Sequence, residues 1–233
     1  MERRPKTLTV LSWLTSVVFI VALYLVLFWA PQEAIMGDVQ RVFYFHVSAG
    51  WVGALAFLIT AIVGGIYLAR GEQRWDRAAM ASVEIGVVFT FINIVTGSIW
   101  ARPIWNTWWT WDPRLVTATI MELIYIAYIM LRQGIEDPDR RARFGAVYGI
   151  VGFISVPLTF LSIRIFRTIH PVVVGSTDPT AQGAFDMTAN MRTAFFFSLF
   201  TFTLIYITLL WHRLRLQHKM EMIEERKLRA LSA

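Results

Sequence analysis

Apolar positions in this chain fall in long uninterrupted blocks rather than on alternate positions or on one helical face. Six such runs occupy about residues 8–29, 47–69, 78–99, 115–131, 144–166 and 193–211, separated by short polar connections. Crossing roughly 30 Å of hydrocarbon takes about 20 helical residues, so each run predicts one transmembrane α-helix. The expected fold is all-α, a polytopic membrane protein with six transmembrane helices in a single membrane domain over residues 1–233. The first run follows Arg3, Arg4 and Lys6. It is longer than the apolar core of a signal peptide and no small-residue cleavage site follows it, so it reads as a retained helix. Pro157, inside the fifth run, predicts a kink there. No repeat or low-complexity tract interrupts the pattern, and no connection is large enough for a soluble domain.

Charge orients the helices. Sixteen of the 22 Lys and Arg residues lie in the N-terminus, the 70–77 and 132–143 loops and the tail from residue 212. The other six are Arg41, Arg102, Arg114, Arg164, Arg167 and Arg192, on the alternate connections. The positive-inside rule then places both termini in the cytoplasm, and the loops around 30–46, 99–114 and 167–192 on the outer face. The basic tail 212–233 carries a stretch, Arg213–Arg229, that reads as a short amphipathic helix on the cytoplasmic surface, in contact with solvent or membrane lipid.

Composition narrows the function. With 56% hydrophobic residues, only 16% charged and a mean hydropathy of +0.53, a soluble globule is excluded, and 15% aromatic content excludes disorder. Absence of cysteine removes disulfides, thiolate metal sites, thiol redox chemistry and covalent haem attachment through a CxxCH motif. The net charge of +6 comes from short clusters between apolar runs, a membrane-topology pattern that argues for no nucleic-acid partner. No Walker motif, Gly-rich phosphate loop or HExxH is present, so no catalytic residue is assigned and the protein does not read as an enzyme.

Any chemistry must then run on His, carboxylate, Arg and aromatic groups. His212 and His218 fall in the basic tail and read as solvated. His46, in Arg41-Val-Phe-Tyr-Phe-His46, and His170 are 124 positions apart, yet topology brings both to one membrane face. Either alone would be a polar group at a helix end. Together they suit the two sides of one iron, since neutral imidazole is a common axial ligand of haem. Between them, Trp100, Trp105, Trp108, Trp109 and Trp111 put five of the ten tryptophans within 12 positions of the outer loop 100–114. An aromatic belt is one reading, but a belt would spread over both interfaces, whereas this concentration in one loop reads as a platform of indole faces for a large flat apolar ligand such as a porphyrin. Asp112 would orient the loop or accept from indole N–H groups. Arg164, Arg167 and His170 recur every three residues and would share one face of a helix continued past the membrane surface. There the two arginines either hold haem propionates as bidentate forks or snorkel at a helix end. Arg41, Arg102 and Arg114 are further outer-face candidates. Glu84, Asn93 and Glu122 lie within spans, as a proton path or as interhelical hydrogen-bond glue; glue is the reading adopted, because no chain of such groups crosses the membrane.

The run from Val88 through Trp100, and on through Trp105-Asn-Thr-Trp108-Trp109-Thr-Trp111-Asp112-Pro113-Arg114-Leu115, resembles the tryptophan-rich WWD signature of the haem-handling proteins of cytochrome c maturation. With His46 and His170 in place and six helices, it is similar to the haem exporter protein C (CcmC) family in particular, over nearly all of residues 8–212. Longer relatives, CcsA and CcmF, share the loop but carry extra helices. The resemblance implies a bacterial inner-membrane protein that holds haem b between His46 and His170 at the periplasmic face, against the WWD loop. It also implies delivery of that haem to the chaperone CcmE, in a complex with the ATP-binding-cassette subunits CcmA and CcmB and the small subunit CcmD, with haem attachment to the chaperone as a conceivable associated activity. Two other classes fit the residues alone: a bis-His membrane cytochrome, and a haem-free solute transporter whose Trp loop is an interfacial gate. The 171–192 loop and the tail match nothing diagnostic.

Overall fold

The computed structural model describes residues 4–33, 36–170 and 187–231. Most of the 171–192 loop, the first three residues and the last two lie outside the described residues. The described chain forms seven α-helices and no β-strand: α1 (Lys6–Tyr24), α2 (Gln40–Arg70), α3 (Gln73–Trp105), α4 (Pro113–Gln133), α5 (Pro138–Gly152), α6 (Ser155–Ile165) and α7 (Ala189–Leu231), with a single π-turn, Leu25–Trp29, prolonging α1. Six helical segments are long and apolar enough to cross a membrane, α5 and α6 together making one of them. The outward side chains are those a bilayer accepts: Trp13 on α1, Phe28 on the π-turn after it, Met130 on α4 and Phe196 and Phe200 on α7 are all exposed.

Local sequence sets the helix ends. Asp112 caps α4 by accepting the Arg114 N–H at 2.9 Å, and Asp137 caps α5 by accepting that of Arg140 at 2.7 Å; in both helices proline takes the first position, where no N–H is needed. Gly71, at φ 68°, turns α2 tightly into α3. The fifth span breaks at Phe153–Ile154. Pro157 has no N–H to offer the Phe153 carbonyl, which accepts instead from Val156 at 3.0 Å, and so the span divides into α5 and α6.

Helices α2 and α3 form the central pair, with α1 and α7 on one side and α4, α5 and α6 on the other. Small residues let the central pair close up. A Cβ on Gly53 would stand 2.4 Å from Thr90 Oγ1, and one on Gly86 would stand 2.5 Å from Phe57 Cε1. Where lipid removes the hydrophobic drive between helices, such close backbone approach supplies the packing.

Two boundaries differ from the sequence expectation. Helix α3 continues past residue 99 to Trp105, so Trp100, Arg102 and Trp105 are helical and the 100–114 loop shrinks to 106–112. Although Pro103 removes one backbone bond, Trp100 and Trp105 pack edge to face at 5.3 Å. Asn106, at φ 55°, then ends the helix with both its oxygens accepting from Arg102 Nη1 at 2.6–2.7 Å. The tail, in turn, is no separate surface helix. It continues α7, whose 43 residues run about 65 Å at 1.5 Å per residue. Arg213 on this extension forks onto both Glu84 oxygens, and His212 Nε2 lies 3.0 Å from Ser12 Oγ and 3.2 Å from Arg4 Nη2. His212 is therefore a junction between α1 and α7 rather than a solvated tail residue.

Candidate functional site

At the end of the bundle where α2 begins and α3 ends, a cleft opens between α2, α3, α4 and the segment that follows α6. His46 enters it from the second turn of α2. Its Nδ1 stands 2.9 Å from the Asn93 backbone carbonyl, with Thr96 Oγ1 at 3.3 Å. Asn93 Nδ2 also lies 3.1 Å from Nδ1, but the backbone carbonyl is nearer and only accepts, so Nδ1 carries the proton and Nε2 keeps its lone pair. Asn93 is held in turn, its Nδ2 donating to the His46 carbonyl at 2.8 Å. Gly97, one turn along α3, makes room for the ring: a Cβ there would fall 2.8 Å from His46 Cε1.

His170 reaches the cleft from a non-helical segment. Phe166, at φ −114° and ψ 153°, ends α6 in extended conformation. The Thr168 hydroxyl donates to Asp112 Oδ1 at 2.7 Å, the Ile169 N–H to Asp112 Oδ2 at 2.9 Å, and the His170 N–H to Thr168 Oγ1 at 3.0 Å. The buried carboxylate of Asp112 thus caps α4 and tethers the segment carrying His170, and among the described residues no indole N–H donates to it. The same tether corrects one expectation: Arg164, Arg167 and His170 do not share a helical face, because the Asp112 contacts hold the chain extended before His170.

The centroids of the two imidazole rings lie 6.5 Å apart, with the ring planes at 40°. Metal–imidazole bonds of about 2.0–2.1 Å on opposite sides of one ion put ring centroids roughly 6–6.5 Å apart, so the pair fits a single metal. Trp105 stands edge-on to His170 at 6.5 Å. Trp100, Trp105 and Trp109 line the cleft, whereas Trp108 and Trp111 are 58% and 83% exposed and lie outside its lining. The cleft encloses about 510 Å³ when the open space at its mouth is counted. Trp100 Nε1 is buried and finds no partner among the described residues. It offers one donor to a ligand acceptor, and the donor set suits a flat metallated ring with polar substituents.

Of the five candidate arginines only Arg114 lines the cleft. Its Nη1 donates to the Thr159 carbonyl at 2.5 Å and its guanidinium lies 4.7 Å from the Phe160 ring centre. Arg41 pairs with Asp38 at 3.0 Å and donates to the Val26 carbonyl, while Arg102 caps α3 and lies over Trp108. Arg164 and Arg167 are exposed and outside the lining.

Sequence reasoning missed the support of His46. Asn93 was read as glue between helices and Gly97 was not singled out, yet Asn93, Gly97 and Trp100 recur at steps of four and three and form one stripe of α3 facing His46. A polar, a small and an aromatic residue at that spacing, leading into the Trp cluster, was the available signal.

The family model described as "Heme exporter protein C" matches residues 2–230. The Heme exporter protein C of Bradyrhizobium diazoefficiens is 31% identical over 207 residues, covering 87% of this chain and 76% of that protein. The protein of that name in Paracoccus denitrificans is 30% identical over 207 residues, covering 88% and 82%. Its counterpart in Escherichia coli K12 is 32% identical over 186 residues, covering 80% and 73%.

Proposed function

The chain belongs to the Heme exporter protein C family, multi-pass membrane proteins that handle haem for cytochrome c maturation, and from that premise we propose that it holds haem b between His46 and His170 and delivers it to the chaperone CcmE. The observation that carries this reading is the imidazole pair, centroids 6.5 Å apart in an indole-walled cleft, with the His46 Nδ1 set against the Asn93 carbonyl. In this reading the cleft opens on the periplasmic side of a bacterial inner membrane and both termini are cytoplasmic, following the charge distribution of the loops. CcmA, CcmB and CcmD are the assembly partners. The role is delivery rather than catalysis.

The chain's own residues divide the work. His46, locked between α2 and α3, is the fixed ligand, its Nε2 lone pair kept available by the bond at Nδ1. His170 sits on a tethered but non-helical segment and is the ligand that yields when the cargo leaves. Trp100, Trp105 and Trp109 would shield a bound ring from water, and Arg114, the one candidate guanidinium lining the cleft, would pair with a carboxylate substituent of it. Trp108 and Trp111, exposed at the rim, present indole surface to the receiving chaperone.

Absorption spectra of the purified full chain, alone and as His46→Ala and His170→Ala, test the reading. Bis-imidazole haem in the unaltered protein and loss of that signature in each variant are expected. An unaltered protein that takes up no haem would overturn the proposal in favour of a haem-free transporter.

A further inference from the structure

A second cavity, of about 1160 Å³ including its mouth, opens at the opposite end of the bundle; Gln73, Asp76, Arg132 and Arg141 are among its lining residues. Helix α4 connects it to the histidine cleft. Ala118 lines the floor of the cleft and Arg132 lines the far cavity, 14 residues or about 21 Å of helix away. Between them Glu122, Tyr125 and Tyr128 recur at steps of four, three and three from Ala118, which puts all of them on one face of α4.

These groups are deeply buried: Glu122 is 5% exposed and both tyrosines are fully buried. Glu122 Oε2, Tyr125 OH and Tyr128 OH have no hydrogen-bond partner among the described residues, so bridging water must link them. Tyr128 OH and Arg132 Nη1 converge at Gly145 of α5, each within 3.3 Å of where a Cβ would stand. Arg132 then forks onto Asp76 at 2.5 and 2.7 Å. Among the described residues, the groups that the surrounding helices pack against this stretch are uncharged. Helix α2 stacks Phe57 on Tyr125 at 3.5 Å, α3 brings Val83, α5 brings glycines and Tyr148, and α6 brings Val156.

Of the in-span candidates Glu84, Asn93 and Glu122, the structure accounts for two: Glu84 pairs with Arg213, and Asn93 positions His46. Glu122 Oε2 has no such partner among the described residues. An ionisable group buried in a membrane bundle at this cost calls for a function. We propose that Glu122, Tyr125 and Tyr128 form a proton path along α4 between the far cavity and the histidine cleft. Each phenol passes on its own proton as it accepts another. The Glu122 carboxyl takes a proton on one oxygen and releases one from the other to water at the Ala118 floor, with water bridging the groups. Only O–H bonds are exchanged and the net transfer is one proton, with no oxidant or reductant needed. The path is independent of whether the cleft carries haem.

The test reconstitutes the full chain in vesicles enclosing a pH-sensitive dye, with a potassium diffusion potential set by valinomycin. Proton flux above that of protein-free vesicles is expected for the unaltered chain. Glu122→Gln should return to the protein-free level, Glu122→Asp should retain part of the flux, and Tyr125→Phe, which removes only a hydroxyl, should lower it. Haem uptake by the same preparations reports folding and the integrity of the cleft separately. Flux from the unaltered chain no greater than that of empty vesicles would overturn the proposal, as would undiminished flux in Glu122→Gln and Tyr125→Phe.

Discussion

Replacing Gly97 by alanine isolates the support of His46 from the ligand itself. The added Cβ would lie 2.8 Å from His46 Cε1 and 3.3 Å from Nδ1. Carbon atoms pack best at about 3.5–4.0 Å, so the ring must retreat by roughly 0.7 Å or turn. Either movement strains the 2.9 Å bond from Nδ1 to the Asn93 carbonyl, the contact that fixes tautomer and aim. Stability should change little. Alanine gains about 0.8–1.0 kcal/mol over glycine within a helix, and overpacking costs about 1–3 kcal/mol. Disturbing the outer support of a metal-bound histidine, by contrast, typically costs about 10–100-fold in affinity, or roughly 1.4–2.8 kcal/mol. Haem titration followed by absorbance, beside thermal unfolding of the same detergent-solubilised protein, separates the two quantities. Expected is haem binding weakened by about that factor with little change in unfolding temperature. Binding within twofold of the unaltered protein and an identical spectrum would refute the argument that Gly97 keeps the imidazole in place.

In the His46→Ala and His170→Ala variants, added imidazole should restore part of the axial spectrum; retention of the unaltered spectrum by both would mean that other groups ligate the iron. Asp112→Asn should keep α4 capped, because asparagine caps as well as aspartate, yet loosen the Thr168 and Ile169 tether, so the His170 signature should weaken while helicity by circular dichroism holds. Arg114→Gln should lower haem retention more than Arg164→Gln or Arg167→Gln, measured at matched protein levels, and equal retention across the three would remove the case for Arg114. Asp76→Ala leaves Arg132 buried without its carboxylate and should cost about 3–5 kcal/mol, read as a fall in unfolding temperature in detergent.

The helices were legible because lipid allows few solutions. A run of about 20 apolar residues has no other use at this density, so the spans emerged from length alone. Their ends were less legible, since side chains decide them across space. Trp100 against Trp105, and Arg102 against both Asn106 oxygens, carry α3 through Pro103 to a point that the drop in hydropathy after residue 99 does not mark. The tail was misread for a related reason. Charge density suggested a surface helix, whereas Glu84, His212 and Arg213 tie the continued α7 back to α1 and α3.

The arginines show why sequence spacing alone misassigns a site. Arg164 and Arg167 stand six and three residues before His170, and a helical period makes the three neighbours only if the helix persists. Thr168 and Ile169 have a stronger alternative, because a carboxylate accepts hydrogen bonds more strongly than a carbonyl, and Asp112 presents both oxygens where α6 ends. Once the segment is drawn to Asp112 the period is lost, His170 swings to the cleft, and the arginines before it stay at the surface. The guanidinium that reaches the cleft comes instead from Arg114, two residues after that same aspartate and on the first turn of the helix it caps. Asp112 therefore fixes the positions of His170 and Arg114 together. The aspartate of the Trp-rich signature thus belongs to the site through what it holds, and nothing in the sequence near His170 names its partner 58 positions earlier.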